Sequence, residues 1–101
     1  MFPLACNPKA IAATDRPRYN ELMRQLRSAI RNRHEVPDGY AYQLGSDAIA
    51  LTEVAEWITY ERLCCPFLTV DLQVAAENDT HLTLRGPDGV KAILQEEFPE
   101  K

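Results

Sequence analysis

Two cysteines stand side by side at Cys64 and Cys65, one helical turn after Glu61, and a third, Cys6, lies near the amino end. Thiolates are favoured ligands of zinc, copper(I) and other soft ions, and a carboxylate can complete or orient such a site. Three sulfurs and one carboxylate oxygen make a closed donor set, so Cys64, Cys65, Cys6 and Glu61 are the candidate metal ligands and zinc or another thiophilic ion is the implied cofactor. Redox catalysis fits less well: the pair sits at a helix carboxy terminus, where the dipole opposes thiolate formation, and Arg62 points away from it. The competing reading is structural. Free cysteine packs as a small hydrophobe, and a marginal helix acid such as Glu61 is more often a solvated residue.

The elements that must position these residues follow from hydropathy. Residues 1 to 14, with Pro3, Pro8 and a small-residue run, read as an irregular arm able to swing Cys6 toward the pair. Asp15 caps a first helix with Pro17 in its opening turn. Tyr19, Leu22, Met23, Leu26, Ala29 and Ile30 recur at helical spacing to about Asn32. Pro37-Asp38-Gly39 breaks the chain, and Tyr40 to Leu44 alternates as a strand. Gly45-Ser46-Asp47 marks a turn, and Thr52, followed by Glu53 and Glu56, is the expected cap of a second helix. Leu51, Val54, Ala55, Ile58 and Cys65 form its expected apolar side, with Trp57 and Glu61 at the margin. Pro66 ends that helix and pushes Cys65 out of helical geometry. Phe67 to Ala76 and His81 to Arg85 read as a hairpin around Glu77-Asn78-Asp79. Its expected register sets Leu72 against Leu84, Val74 against Leu82 and Asp71 against Arg85. Val90, Ile93, Leu94 and Phe98 mark a last helix. The expected fold is α+β, a small antiparallel sheet of about three strands with helices on one face, in the order α-β-α-β-β-α and as a single domain over residues 1–101.

The run Glu61-Arg62-Leu63-Cys64-Cys65-Pro66-Phe67-Leu68 resembles a Glu-Arg-x-Cys-Cys-Pro-Phe-Leu block of small, functionally uncharacterised bacterial proteins. It is also similar to a segment in the carboxy-terminal part of some mercury-resistance-type regulators. The resemblance extends to Pro37-Asp38-Gly39-Tyr40 and to Cys6-x-Pro8. It implies a thiol-centred site at Cys64 and Cys65 for a soft metal.

Composition sets the bounds. The 101 residues carry a net charge of −4, with 46% apolar and 26% charged residues, as expected of one globular domain. No run approaches the ~18 apolar residues of a membrane span, and the amino end lacks the pattern of a signal peptide. A cytoplasmic protein is expected, and with an odd number of cysteines all three are expected as reduced thiols. Phosphate loops, serine elbows, zinc-protease motifs and Cys-x-x-Cys pairs are missing. With only the thiols and Glu61 available as nucleophile and base, the chain reads as non-catalytic.

Two histidines are set aside as ligands. The expected hairpin places His81 opposite Ala75, ten residues from Cys65, and about 33 Å along a strand at ~3.3 Å per residue is too far to share one ion. His34 reads as a polar residue after the first helix. Residues 1 to 34 carry +5, leaving −9 on the rest. Arg24, Arg27 and Arg31 share one stripe of the expected helix, which gives the alternative reading, a protein-interaction or regulatory accessory module with structural cysteines and a basic amphipathic helix. Nucleic acid is a poor partner, because the acidic remainder repels it and no recognition motif is present. The oppositely charged parts are expected to associate, within one chain or across a homodimer.

Overall fold

The computed structural model describes residues 4–45 and 47–100. Pro3 of the expected arm and Ser46 of the expected turn lie outside the described residues. Helix α1 (Arg16–Ala29) leads into strands β1 (Ile30–Val36) and β2 (Gly39–Leu44), then helix α2 (Leu51–Cys64), strands β3 (Thr69–Ala75) and β4 (Asp79–Arg85), and helix α3 (Val90–Glu97). The sheet is antiparallel, four-stranded and ordered β1-β2-β4-β3. The α+β class stands. The strand count and the element order are corrected, the observed order being α-β-β-α-β-β-α.

The strand that the sequence reading missed is β1. Its residues Arg31, Arg33, His34 and Glu35 suit an exposed sheet edge, where charge discourages further pairing. Its burial does not alternate, and a register shift between Ile30 and Asn32 removes the period-2 signal that marks a half-buried strand. Helix α1 therefore stops at Ala29, three residues short of the expected Asn32, and Ile30 turns to extended geometry. Arg31 consequently leaves the helix, and the stripe of Arg24, Arg27 and Arg31 does not form.

Pro37 and Asp38 make a two-residue connection that pairs Val36 with Gly39. Gly39 is required by close approach: a Cβ there meets the Leu84 carbonyl oxygen at 1.8 Å. On one face of the sheet Tyr40, Tyr42, Leu44, Leu82 and Leu84 are buried. They share a core with Tyr19, Leu22 and Leu26 of α1, Val54 and Trp57 of α2, and Val90 and Leu94 of α3. The β3–β4 register is offset by two residues from expectation, setting Leu72 opposite Leu82, Val70 opposite Leu84 and His81 opposite Gln73. Apolar alternation cannot distinguish registers that differ by two, because the same side chains stay inward. The turn decides, with Ala75 paired to Asp79 and Glu77 held at φ 61°. Asp71 and Arg85 still form an ion pair, at 2.8 Å, as diagonal neighbours.

Two local expectations also change. Helix α2 is capped at Ala50, not Thr52, and the Glu53 carboxylate accepts the Ala50 N–H at 3.4 Å. Its buried stripe is Val54, Trp57, Glu61 and Cys64, whereas Leu51 is 46% exposed. The oppositely charged parts of the chain do meet within one molecule. Arg18 donates two hydrogen bonds to Glu56, at 2.9 and 2.8 Å, and Arg33 pairs with Glu100.

Gly39→Ala is expected to force β2 and β4 apart, at about 1–3 kcal/mol of stability. A lower urea midpoint checks it, and an unchanged midpoint contradicts the packing described.

Candidate functional site

The site forms where α2 runs out. Pro66 cannot continue the helix, so Cys65 takes φ −127°, ψ 72° and its N–H closes the last turn on the Glu61 carbonyl at 2.7 Å. Cys64 remains the final helical residue and points inward, and both cysteines are buried. The amino-terminal segment crosses this helix end and is anchored there. Asn7 N–H donates to the Cys64 carbonyl at 2.8 Å, Pro8–Ala10 form a short 3-10 turn, and Ile11 is fully buried in the core. The arm is therefore not free to swing.

The arm is also covalently attached. Cys6 and Cys65 form a disulfide, with Cα atoms 4.6 Å apart, and Cys64 is a free buried thiol. The expectation of three reduced cysteines is corrected here. The odd count of cysteines argues against any pairing, and nothing in it signals a partner for Cys65 from 59 residues away. The three sulfurs nonetheless lie within 4.8 Å of one another, so Cys6, Cys64 and Cys65 are brought together. His81 is not part of this cluster and lies 2.9 Å from Asp79, while His34 is exposed on β1.

Glu61 is the second correction to expectation. It is completely buried rather than marginal, and its Oε1 accepts the Tyr19 hydroxyl at 2.7 Å. Facing it is Glu97, which the sequence reading did not single out. A signal existed: Glu97 follows Val90 by seven positions and Leu94 by three, placing it on the buried stripe of α3. Among the described residues the Oε2 atoms of Glu61 and Glu97 are buried without a hydrogen-bond partner, and the two carboxyls interact with each other. Two adjacent buried carboxyls strongly disfavour double ionisation, so the pair shares a proton. Burial raises the pKa of both groups, and burial together with the neighbouring Glu61 charge lifts Glu97 to about 9. The Arg27 guanidinium acts in the opposite direction on both.

This acid pair abuts the sulfurs. Glu97 Oε1 is 3.4 Å from Cys6 Sγ and 3.7 Å from Cys65 Sγ. Glu61, Cys65 and Glu97 offer ligand atoms within 4.8 Å of one another. Burial, reinforced by Glu61 and Glu97, pushes the Cys64 thiol up to about 11. At neutral pH Cys64 is thus a protonated thiol, as its position at a helix carboxy terminus implies. The arrangement combines an oxidised sulfur pair, a reserve thiol and a buried proton source.

No family model matches the chain, and no curated protein or solved structure matches it either.

The raised Glu97 pKa fixes a pH dependence of stability. The folded chain holds a proton that the unfolded chain releases above the ordinary carboxylate range, so this contribution is complete below about pH 4 and is lost as pH rises toward 9. Glu97→Gln keeps the shape and removes the titration. The variant is expected to flatten the fall in Tm between pH 5 and 9 and to gain on the order of 1–2 kcal/mol over the parent near pH 8. Parallel slopes for the two proteins contradict the shared-proton assignment.

Proposed function

We propose that the protein senses thiol state, with a Cys6–Cys65 disulfide that opens on reduction to release a site for a thiophilic metal ion. The observation that carries this reading is the contact of the disulfide with both Cys64 and the Glu61–Glu97 acid pair. A structural disulfide in a core needs neither a third sulfur nor a buried proton donor beside it.

The residues support an ordered opening. Cys6 is half-buried and Cys65 fully buried, so an incoming thiolate of a dithiol reductant reaches Cys6 Sγ first. A bond forms between that thiolate and Cys6, and the Cys6–Cys65 bond breaks with its electron pair on Cys65. A thiolate at a buried helix carboxy terminus is unfavourable. Glu97, 3.7 Å from Cys65 Sγ, is placed to hand over the proton shared with Glu61. The second thiol of the reductant then displaces Cys6, leaving the reductant as its disulfide and two cysteines reduced.

The donor set of the reduced form fits a soft divalent ion. Cys6, Cys64 and Cys65 supply sulfur and Glu61 or Glu97 supplies oxygen, a mixture suited to zinc. With the disulfide closed, two of the three sulfurs cannot act as thiolates. The same block resembles segments of mercury-resistance-type regulators, which supports soft-metal chemistry at Cys64 and Cys65. The alternative of a basic amphipathic helix has less support, because Arg18 and Arg24 are already paired to acids and Arg31 lies outside α1.

Calorimetry with zinc on oxidised and reduced protein tests the proposal. One equivalent is expected to bind after reduction and none before, with proton release and weaker binding as pH falls because the ligands must deprotonate. Cys64→Ser is expected to weaken binding by at least about tenfold, roughly 1.4 kcal/mol. Equal binding in both redox states, or none in either, overturns the reading.

A further inference from the structure

A cavity of about 440 Å³ that none of the three cysteines lines opens between the end of α1, strand β1 and the segment after α3. Its size falls in the range of small-molecule pockets, roughly 300–1,000 Å³. Ile30, Tyr42 and Phe98 supply apolar and aromatic lining, with the Tyr42 and Phe98 rings 5.2 Å apart. Arg27, Arg31 and Arg33 supply charge, and Glu100 is the single carboxylate among the lining residues. A chain of net charge −4 thus concentrates positive charge at one concave, partly apolar place.

The arginines are weakly committed. Arg31 reaches Asp47 only at 3.6 Å, and Asp47 is 89% exposed. Arg27 donates to a neutral acceptor, the Glu97 backbone carbonyl, at 2.6 Å. Arg33 is different: its side chain is only 17% exposed and lies over the Tyr40 ring, yet its carboxylate partner is Glu100, which is 76% exposed. A largely covered guanidinium held by an exposed carboxylate is a site whose occupant is exchangeable. A second observation lies in the same lining. Tyr42 is 1% exposed, and its hydroxyl has no hydrogen-bond partner among the described residues. A buried hydroxyl without a partner costs stability unless another state of the protein supplies one.

We infer that this cavity binds a small organic carboxylate with an apolar body, Arg33 and Arg27 taking its carboxylate in place of Glu100 and Tyr42 donating to it. Glu100 is the intramolecular stand-in. The carboxylate is favoured because it is the group already seated on Arg33 and because a guanidinium fork matches its geometry. The apolar body is favoured by the Ile30, Tyr42 and Phe98 lining.

Titration calorimetry with naphthoate, and with the neutral naphthalene carboxamide as its control, tests the inference on the full chain. Naphthoate is expected to bind at one equivalent and the carboxamide at least about tenfold more weakly. Arg33→Gln is expected to lose about tenfold in affinity, and Tyr42→Phe about threefold while its Tm stays level or rises. Glu100→Gln, at an exposed position that cannot unfold the protein, is expected to tighten binding about two- to fivefold by removing the competitor. Equal binding of the acid and the amide, no naphthoate binding at millimolar concentration, or a Glu100→Gln variant that binds no better overturns it.

Discussion

The covalent link from Cys6 to Cys65 joins residues 59 positions apart and ties the amino-terminal segment to the end of α2. A loop of that length restricts the unfolded chain by roughly 4 kcal/mol in the chain-entropy account. That is a large fraction of the stability of a domain this size. Beside the link Ile11 is buried in the core and the Asn7 N–H donates to the Cys64 carbonyl, so the amino-terminal segment forms one wall of the site.

Burying two carboxyls beside that link costs stability, and the cost is contained by sharing one proton and by the Tyr19 hydroxyl on Glu61. Such a pair is poor material for a core, because apolar residues of similar volume would pack there without a desolvation penalty. Its place against the sulfurs gives it a chemical use. Thiol–disulfide interconversion moves protons with electrons, and Glu97 sets a protonated carboxyl beside both sulfurs of the link. Helix α3 brings Glu97 to that position, and the segment that follows brings Phe98 and Glu100 to the arginine-lined cavity.

Much of the fold was legible in the sequence. Proline and glycine marked the breaks, and helical spacing identified α1 and α3 together with their buried residues. Strand β1 was not legible, because a bulged edge strand of arginine, histidine and glutamate has no hydropathy period. The hairpin register was not legible because inward-facing residues are the same after a shift of two. At the site, Cys64, Cys65, Cys6 and Glu61 were singled out by residue type and spacing, and the structure brings the three sulfurs together and sets Glu61 beside Cys65. The state of Cys6 and Cys65 was not legible, since nothing local to position 65 encodes a contact with position 6. Glu97 escaped because an acid on an apolar stripe is read as a solvated margin, and the same habit put Glu61 at the edge of α2 instead of its centre.

Differential thiol labelling of the native protein, followed by peptide mass spectrometry, addresses the central claim most directly. The account predicts a peptide pair linked through Cys6 and Cys65, and a single free thiol, Cys64, that alkylates only after unfolding. A Cys64–Cys65 linkage, or three thiols that label in the native protein before any reductant is added, contradicts it.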